Sequence, residues 1–325
     1  MQPSVYDSLS QDAFDAAESL SVMMQKEQTT YESCDYLHPS WPVDSTMITE
    51  SDRLKIVDWC YTVVDQCKFD REAVAMTMEL VDRFLSKPSI IAQDALHDRE
   101  QFQLVAIAAL YIAIKVNEKV AFSSESFAAL SQGVYSVDDI EGMELSILEG
   151  LSWRICAPTS IQMAHHILSV ILPHVKLQDS TWGFILDEVR FQTEYAVRDY
   201  YFATQRPSTV ALAAIFNTLD QVDQQDRQAI LHALLFVMNE EFDSPKDLLA
   251  ARNRLLFLVE GNDCVAAESR VLSDTLREVE ACSLKRGPED SFEDQEVFIV
   301  SPRRSPVTTQ CVLLSTGKCS LQELY

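Results

Sequence analysis

The chain has 325 residues, with 26 Lys and Arg against 50 Asp and Glu, a formal net charge of −24, and 47% hydrophobic residues. That length allows two domains plus tails, and the apolar share fits a folded chain rather than a disordered one. The acidity argues against broad binding to nucleic-acid phosphates and predicts partners with basic surfaces, while the seven glycines, no two separated by a single residue, exclude the glycine-rich phosphate cradles of the common nucleotide enzymes.

Residues 1–48 read as an acidic leader; residues 1–50 hold nine acids and one base, Lys26. Within the leader, Tyr6, Leu9, Ala13, Ala16, Leu20 and Met23 recur at helical spacing and predict an amphipathic helix. The N-terminus lacks a basic stretch followed by an apolar one, so no signal peptide is expected. The longest apolar stretch, Leu104 to Ile114, is too short to span a bilayer. The eight cysteines form no CxxC pair, which points to reduced thiols in the nucleus, the cytoplasm or both.

From residue 49 the pattern is helical almost without a break. Thr49 with Asp52 resembles a capping box and opens a helix through Ile56, Trp59, Val63 and Val64. Asp70 caps a second, with Val74, Met78, Val81, Phe84 and Leu85 on its buried face. Phe102 to Val116 is apolar on nearly every side, so this third helix must be surrounded by others. A fourth opens at Ser123 or Ser124 and ends near Gly133, and a fifth runs from Ser136 to a stop at Gly150.

A similar series follows: a helix behind Pro158, then 181–203, Pro207–Asp220, 224–241 and 245–259. Val105-Ala-Ile-Ala-Ala-Leu-Tyr111 and Val210-Ala-Leu-Ala-Ala-Ile-Phe216 agree in size class at every position. Standing third in each series, they indicate an internal repeat. No segment alternates as strands do. The expected fold is all-α, with two tandem five-helix lobes at 49–156 and 157–259, an acidic leader, and an extra helix with a mobile tail over 260–325.

Catalytic groupings are not visible. The adjacent pair His165 and His166 points about 100° apart on a helix and cannot share a metal as an i,i+4 pair would. There is no HExxH and no Cys/His zinc spacing. An enzyme is not expected, nor a metal site.

Four segments in order carry a family resemblance: Arg53-Leu-Lys-Ile-Val-Asp-Trp59, Leu80-Val-Asp-Arg-Phe-Leu-Ser86, the helix from Phe102 to Lys115, and Met143-Glu-Leu with Leu148-Glu-Gly-Leu-Ser-Trp-Arg154. Together they resemble the cyclins over about residues 50–259, two tandem cyclin-box lobes; Leu130 to Thr159 is similar to the divergent cyclins of diatoms and related algae. The resemblance implies a subunit without cofactors that binds and activates a cyclin-dependent Ser/Thr protein kinase in control of the cell cycle. It places Lys115 and Glu144 at the kinase-binding pair and Arg53 and Asp82 at a structural ion pair. Ile56, Trp59 and Gln103 match a substrate-docking patch that departs from the family pattern, because Asp52 and Lys55 stand where apolar residues are usual; docking is expected to be weak or altered.

Ser301-Pro-Arg-Arg304 and Ser305-Pro306 make Ser301 and Ser305 candidate phosphorylation sites. Kinase substrates and the degradation machinery are further candidate partners. Arg252-Asn-Arg-Leu255 has the letters of a degradation signal, yet it falls in a predicted helix that would bury Leu255. Neither nucleic acid nor membrane is expected to bind. The alternatives are a cyclin-fold adaptor that has lost its kinase and a transcription-associated protein of the same fold.

Overall fold

The computed structural model describes residues 5–38, 47–119, 123–237 and 245–260. Their regular structure is helical, with no strand among the described residues. The helices are α1 (Val5–Thr29), α2 (Glu50–Cys67), α3 (Glu72–Leu85), α4 (Ile90–His97), α5 (Arg99–Asn117), α6 (Ser124–Leu130), α7 (Val137–Gly150), α8 (Ser160–Ile171), α9 (Asp179–Ala196), α10 (Pro207–Leu219), α11 (Gln224–Val237) and α12 (Pro245–Glu260). The candidate sites Ser301 and Ser305 and the expected extra helix lie outside the described residues.

The described chain divides into two compact units. One holds residues 24–161 with 193–207, and the other holds 162–192, 208–260 and the earlier part of α1. The first therefore runs past 156, the limit read from the sequence, and takes in a later segment.

In the first unit α5 is the axle. Every residue from Phe102 to Ile114 is buried, and α3, α4, α7, α2 and α6 all lie against it. Its alanines Ala106, Ala108, Ala109 and Ala113 are fully buried, which lets neighbouring helices approach closely. The matching segment of α10 in the second unit is equally interior, with Val210 to Ile215 no more than 4% exposed.

Local signals explain the boundaries. Thr49 and Asp52 form a complete capping box at α2, as do Ser136 and Asp139 at α7. Asp70 Oδ1 accepts the Glu72 amide at 3.0 Å and opens α3. Two expectations need correction. Between α3 and α5 stands an additional helix, α4, capped by Ser89 accepting from the Ala92 amide, so six helices rather than five run from Glu50 to Gly150 among the described residues. Nor does Gly150 end α7 by turning left-handed: Ser152 and Trp153 adopt the positive φ values, 53° and 61°. A Cβ at this glycine would lie 3.0 Å from the Phe84 ring, so any other residue here requires that ring to shift.

A segment after α1 is strapped onto the first unit. The Tyr200 hydroxyl accepts the amides of Tyr36 and Leu37 at 2.9 and 3.2 Å and donates to Asp35 at 2.9 Å. Ser86 Oγ accepts the Cys34 amide at 3.1 Å. Tyr36 reaches further and donates its hydroxyl to Asp82 at 2.7 Å.

Glu79 on α3 gives this unit a pH-dependent term. Arg83 donates to it at 2.8 Å, yet burial outweighs that cation and raises its pKa from 4.5 to about 7. The folded state therefore holds a proton that the unfolded chain releases near 4.5, so this contribution is complete below pH 4.5 and is lost as pH rises to about 7. The shift corresponds to at most about 3 kcal/mol. Urea unfolding at pH 5 and pH 8 is expected to show wild type losing more stability with rising pH than Glu79→Gln; identical losses would remove Glu79 as the cause.

Candidate functional site

Lys115 closes α5 and Glu144 lies midway along α7. They are far apart in sequence, but α5 and α7 pack side by side and bring them together: Lys115 Nζ donates to Glu144 Oε1. The lysine side chain is 38% exposed and the glutamate 15%, so the pair sits at a surface and can be reached from outside. At the C-terminus of α5 the ammonium also meets the favourable end of the helix dipole. One turn back, the Tyr111 ring lies 4.1 Å from Nζ, close enough for a cation–π contact that holds the chain in place.

Exposed apolar residues follow Lys115 and Glu144 directly in the sequence, and a third lies just past the end of α7. Val116 is 42% exposed, Leu145 49% and Trp153, at the exit of α7, 64%. Exposed large apolar residues next to an ion pair are what a protein-binding surface presents. Sequence reasoning gave Tyr111, Leu145 and Trp153 no role at the site, although Tyr111 ends the repeated segment and Leu145 and Trp153 stand in the family-like segments. Tyr111 could have been found from its i,i+4 spacing to Lys115; the exposure of Trp153 depends on the left-handed turn before it.

Arg53 and Asp82 form a different kind of site. Both are buried and meet twice, Nε to Oδ1 at 2.9 Å and Nη2 to Oδ2 at 2.7 Å. The third guanidinium nitrogen, Nη1, donates to the Val197 carbonyl at 2.9 Å. Burial alone would lower the arginine's pKa, but Asp82 and Tyr36 more than offset it and hold it above its ordinary value. The phenol of Tyr36 is pushed well up, by burial first and by Asp82 second. The group is closed to solvent and serves to fix α2 on α3.

The docking-patch residues do not line an open surface. Ile56 is 0% exposed, Trp59 5% and Gln103 7%; Gln103 accepts from Tyr135 at 3.3 Å. Asp52 is also buried. Its Oδ2 accepts the Thr49 amide and hydroxyl at 3.0 and 2.9 Å, and Arg99 approaches at 3.4 Å. Burial would raise its pKa, yet these Thr49 bonds and Arg99 lower it. Asp52 is spent on the cap of α2, and Ile56, Trp59 and Gln103 belong to the interior of the first unit.

In the second unit, Arg252 donates to Asp220 at 2.6 Å and to Asn217 at 3.1 Å. Arg252 and Leu255 are 3% and 0% exposed, so the two end residues of the Arg252–Leu255 segment are covered in the folded chain, while Asn253 and Arg254 between them are exposed. Among the described residues no group of three or more His, Cys, Asp or Glu side chains could hold a metal ion, and no helix is long and apolar enough to cross a membrane.

Residues 18–156 match the family described as cyclin, N-terminal domain. Among curated proteins, the chain is 27% identical over 179 residues to Cyclin-A2-1 of Oryza sativa subsp. japonica, covering 55% of this chain and 34% of that protein. It is 28% identical over 180 residues to the G2/mitotic-specific cyclin S13-7 of Glycine max, covering 55% and 64%. The match thus spans about a third to two thirds of these relatives' length. A solved structure, the viral cyclin from herpesvirus saimiri, aligns with a TM-score of 0.46 at 12% identity, covering 82% of this chain and 96% of that one.

Proposed function

We propose that the chain, whose residues 18–156 match the cyclin N-terminal domain, binds and activates a cyclin-dependent Ser/Thr protein kinase, and through it acts in cell-cycle progression. The observation that carries the proposal is the Lys115–Glu144 pair, joined at an accessible surface on the residues that match the family's kinase-holding positions. A cation and an anion side by side can exchange their mutual bond for charge-assisted bonds to a partner and so fix its orientation. Leu145, next to Glu144 in the sequence and 49% exposed, adds apolar surface to such a contact.

In this mechanism the first unit packs on the kinase and moves its αC helix inward, completing the Lys–Glu ion pair on which phosphoryl transfer depends. Mg²⁺ and ATP belong to the kinase, and the chain has a regulatory role without chemistry of its own. It acts in the nucleus, the cytoplasm or both.

Co-purification of the full chain, followed by mass spectrometry and a histone kinase assay, tests the proposal. A kinase that is recovered and whose activity depends on the chain is the expected result. Recovery of other partners with no kinase would overturn it in favour of an adaptor.

A further inference from the structure

We infer that the outer flank of α9, marked by Phe184 and Phe191, is a docking surface for a segment of this same chain, residues 262–284, which lies along it as a further helix. The inference is independent of the kinase reading.

The surface is unusual for its aromatic exposure. Among the described residues the exposed phenylalanines are Phe184, Phe191 and Phe257, at 41%, 47% and 40%, and all three belong to the second unit. Single exposed apolar residues are ordinary, but two that stand seven apart on one helix form a line. Phe184 and Phe191 lie two turns from each other on the same side of α9. Ile185 and Val189, both 0% exposed, take the adjoining side. The two rings therefore border the packed side of α9, at the place where a neighbouring helix would run.

The occupant is argued from where the chain goes next. α12 ends at Glu260 in the same unit, and residues 261–325 follow it. Gly261 comes first, the residue type at which a chain commonly turns out of a helix. Then Val265, Leu272, Leu276 and Val279 recur at intervals of seven, four and three, the spacing of one apolar line on a helix. A helix this short is marginal in water and needs a surface to form against. Val265, Leu272 and Val279 repeat at the same two-turn interval as the rings of α9, so side chains of one line can seat beside those of the other.

Tethering and charge decide how such a contact behaves. Only residues 261–264 connect the segment to α12, which holds it at an effective concentration on the order of millimolar, so a contact too weak to bind a free peptide suffices. The segment carries five acids against two bases, and Asp187 and Glu188 stand between the two phenylalanines in the sequence of α9. Attraction here is apolar, and salt that screens the acids from one another favours it.

Hydrogen–deuterium exchange of the full chain without kinase, read over residues 265–280, is the test. In wild type these amides are expected to exchange about tenfold or more slowly than an unstructured chain, and more slowly still in added salt. The combined Phe184→Ser, Phe191→Ser variant and the combined Leu272→Ser, Val279→Ser variant are each expected to return them to the unprotected rate. The second of these leaves α9 untouched, and it is expected to raise bis-ANS fluorescence by uncovering the two rings; it decides the matter should the first variant fail to fold. Unprotected amides in wild type, protection that survives the loss of both rings, protection that falls with salt, or no added dye binding by the segment variant would overturn the inference. So would protection that grows with protein concentration alongside a dimer in sedimentation velocity, which would give this flank to a second copy of the chain.

Discussion

Lys115→Glu is expected to abolish activation of the partner kinase, by about 100-fold or more, in a protein that stays folded. Truncating or reversing one member of an interfacial charge pair typically costs about 2–5 kcal/mol of binding. Here the substitution also sets two carboxylates against each other, because Glu144 already occupies the neighbouring position. The cost to the fold is much smaller. The lysine is 38% exposed, so its bond to Glu144 contributes at most about 1 kcal/mol to stability, and an acid at the end of α5 opposes the helix dipole by a similar amount. Kinase activity with a standard peptide substrate, measured beside a circular dichroism melt, separates the two effects. Normal activation by a folded Lys115→Glu protein would remove this pair from the interface.

Asp82→Asn is expected to have the largest effect on stability, a loss of about 3–5 kcal/mol. The substitution nearly preserves shape but leaves the Arg53 guanidinium buried with its charge uncompensated, when only 2% of that residue is exposed. The Val197 carbonyl remains as a partner, but a neutral acceptor does not replace a carboxylate. Tyr36→Phe removes one bond to Asp82 Oδ1 and is expected to cost only about 1 kcal/mol. Urea denaturation of the full chain at neutral pH measures both. A loss below about 1 kcal/mol for Asp82→Asn would mean that the pair is dispensable to the fold.

Much of the helical framework can be read from the chain because its signals are local. Thr49 with Asp52 and Ser136 pack a cap into four residues, and Phe102 to Val116 needs no partner to be recognised as interior. α4 escaped because it is eight residues long and buries only Ala92, Ala95 and Leu96, too few and too small to make a convincing stripe. Asp52 shows a different difficulty: one carboxylate fitted two readings, the cap and the docking patch, and only its position in space shows that the cap takes it. The candidate site was legible to different degrees. Lys115 ends a helix that the sequence marks clearly, whereas Glu144 is one of five acids on α7 and is picked out only by the family pattern. Tyr36 joins Asp82 from 46 positions away, and nothing in the spacing announces it.

The strap has a practical consequence for anyone who trims this protein. A fragment cut at the first residue of α2 would look like a tidy domain, yet it would leave Asp82 without its phenol donor and Tyr200 without the two amides it accepts. Limited proteolysis should accordingly spare residues 31–37 for as long as the first unit survives, and an excised piece intended to behave like the parent has to begin upstream of Tyr31.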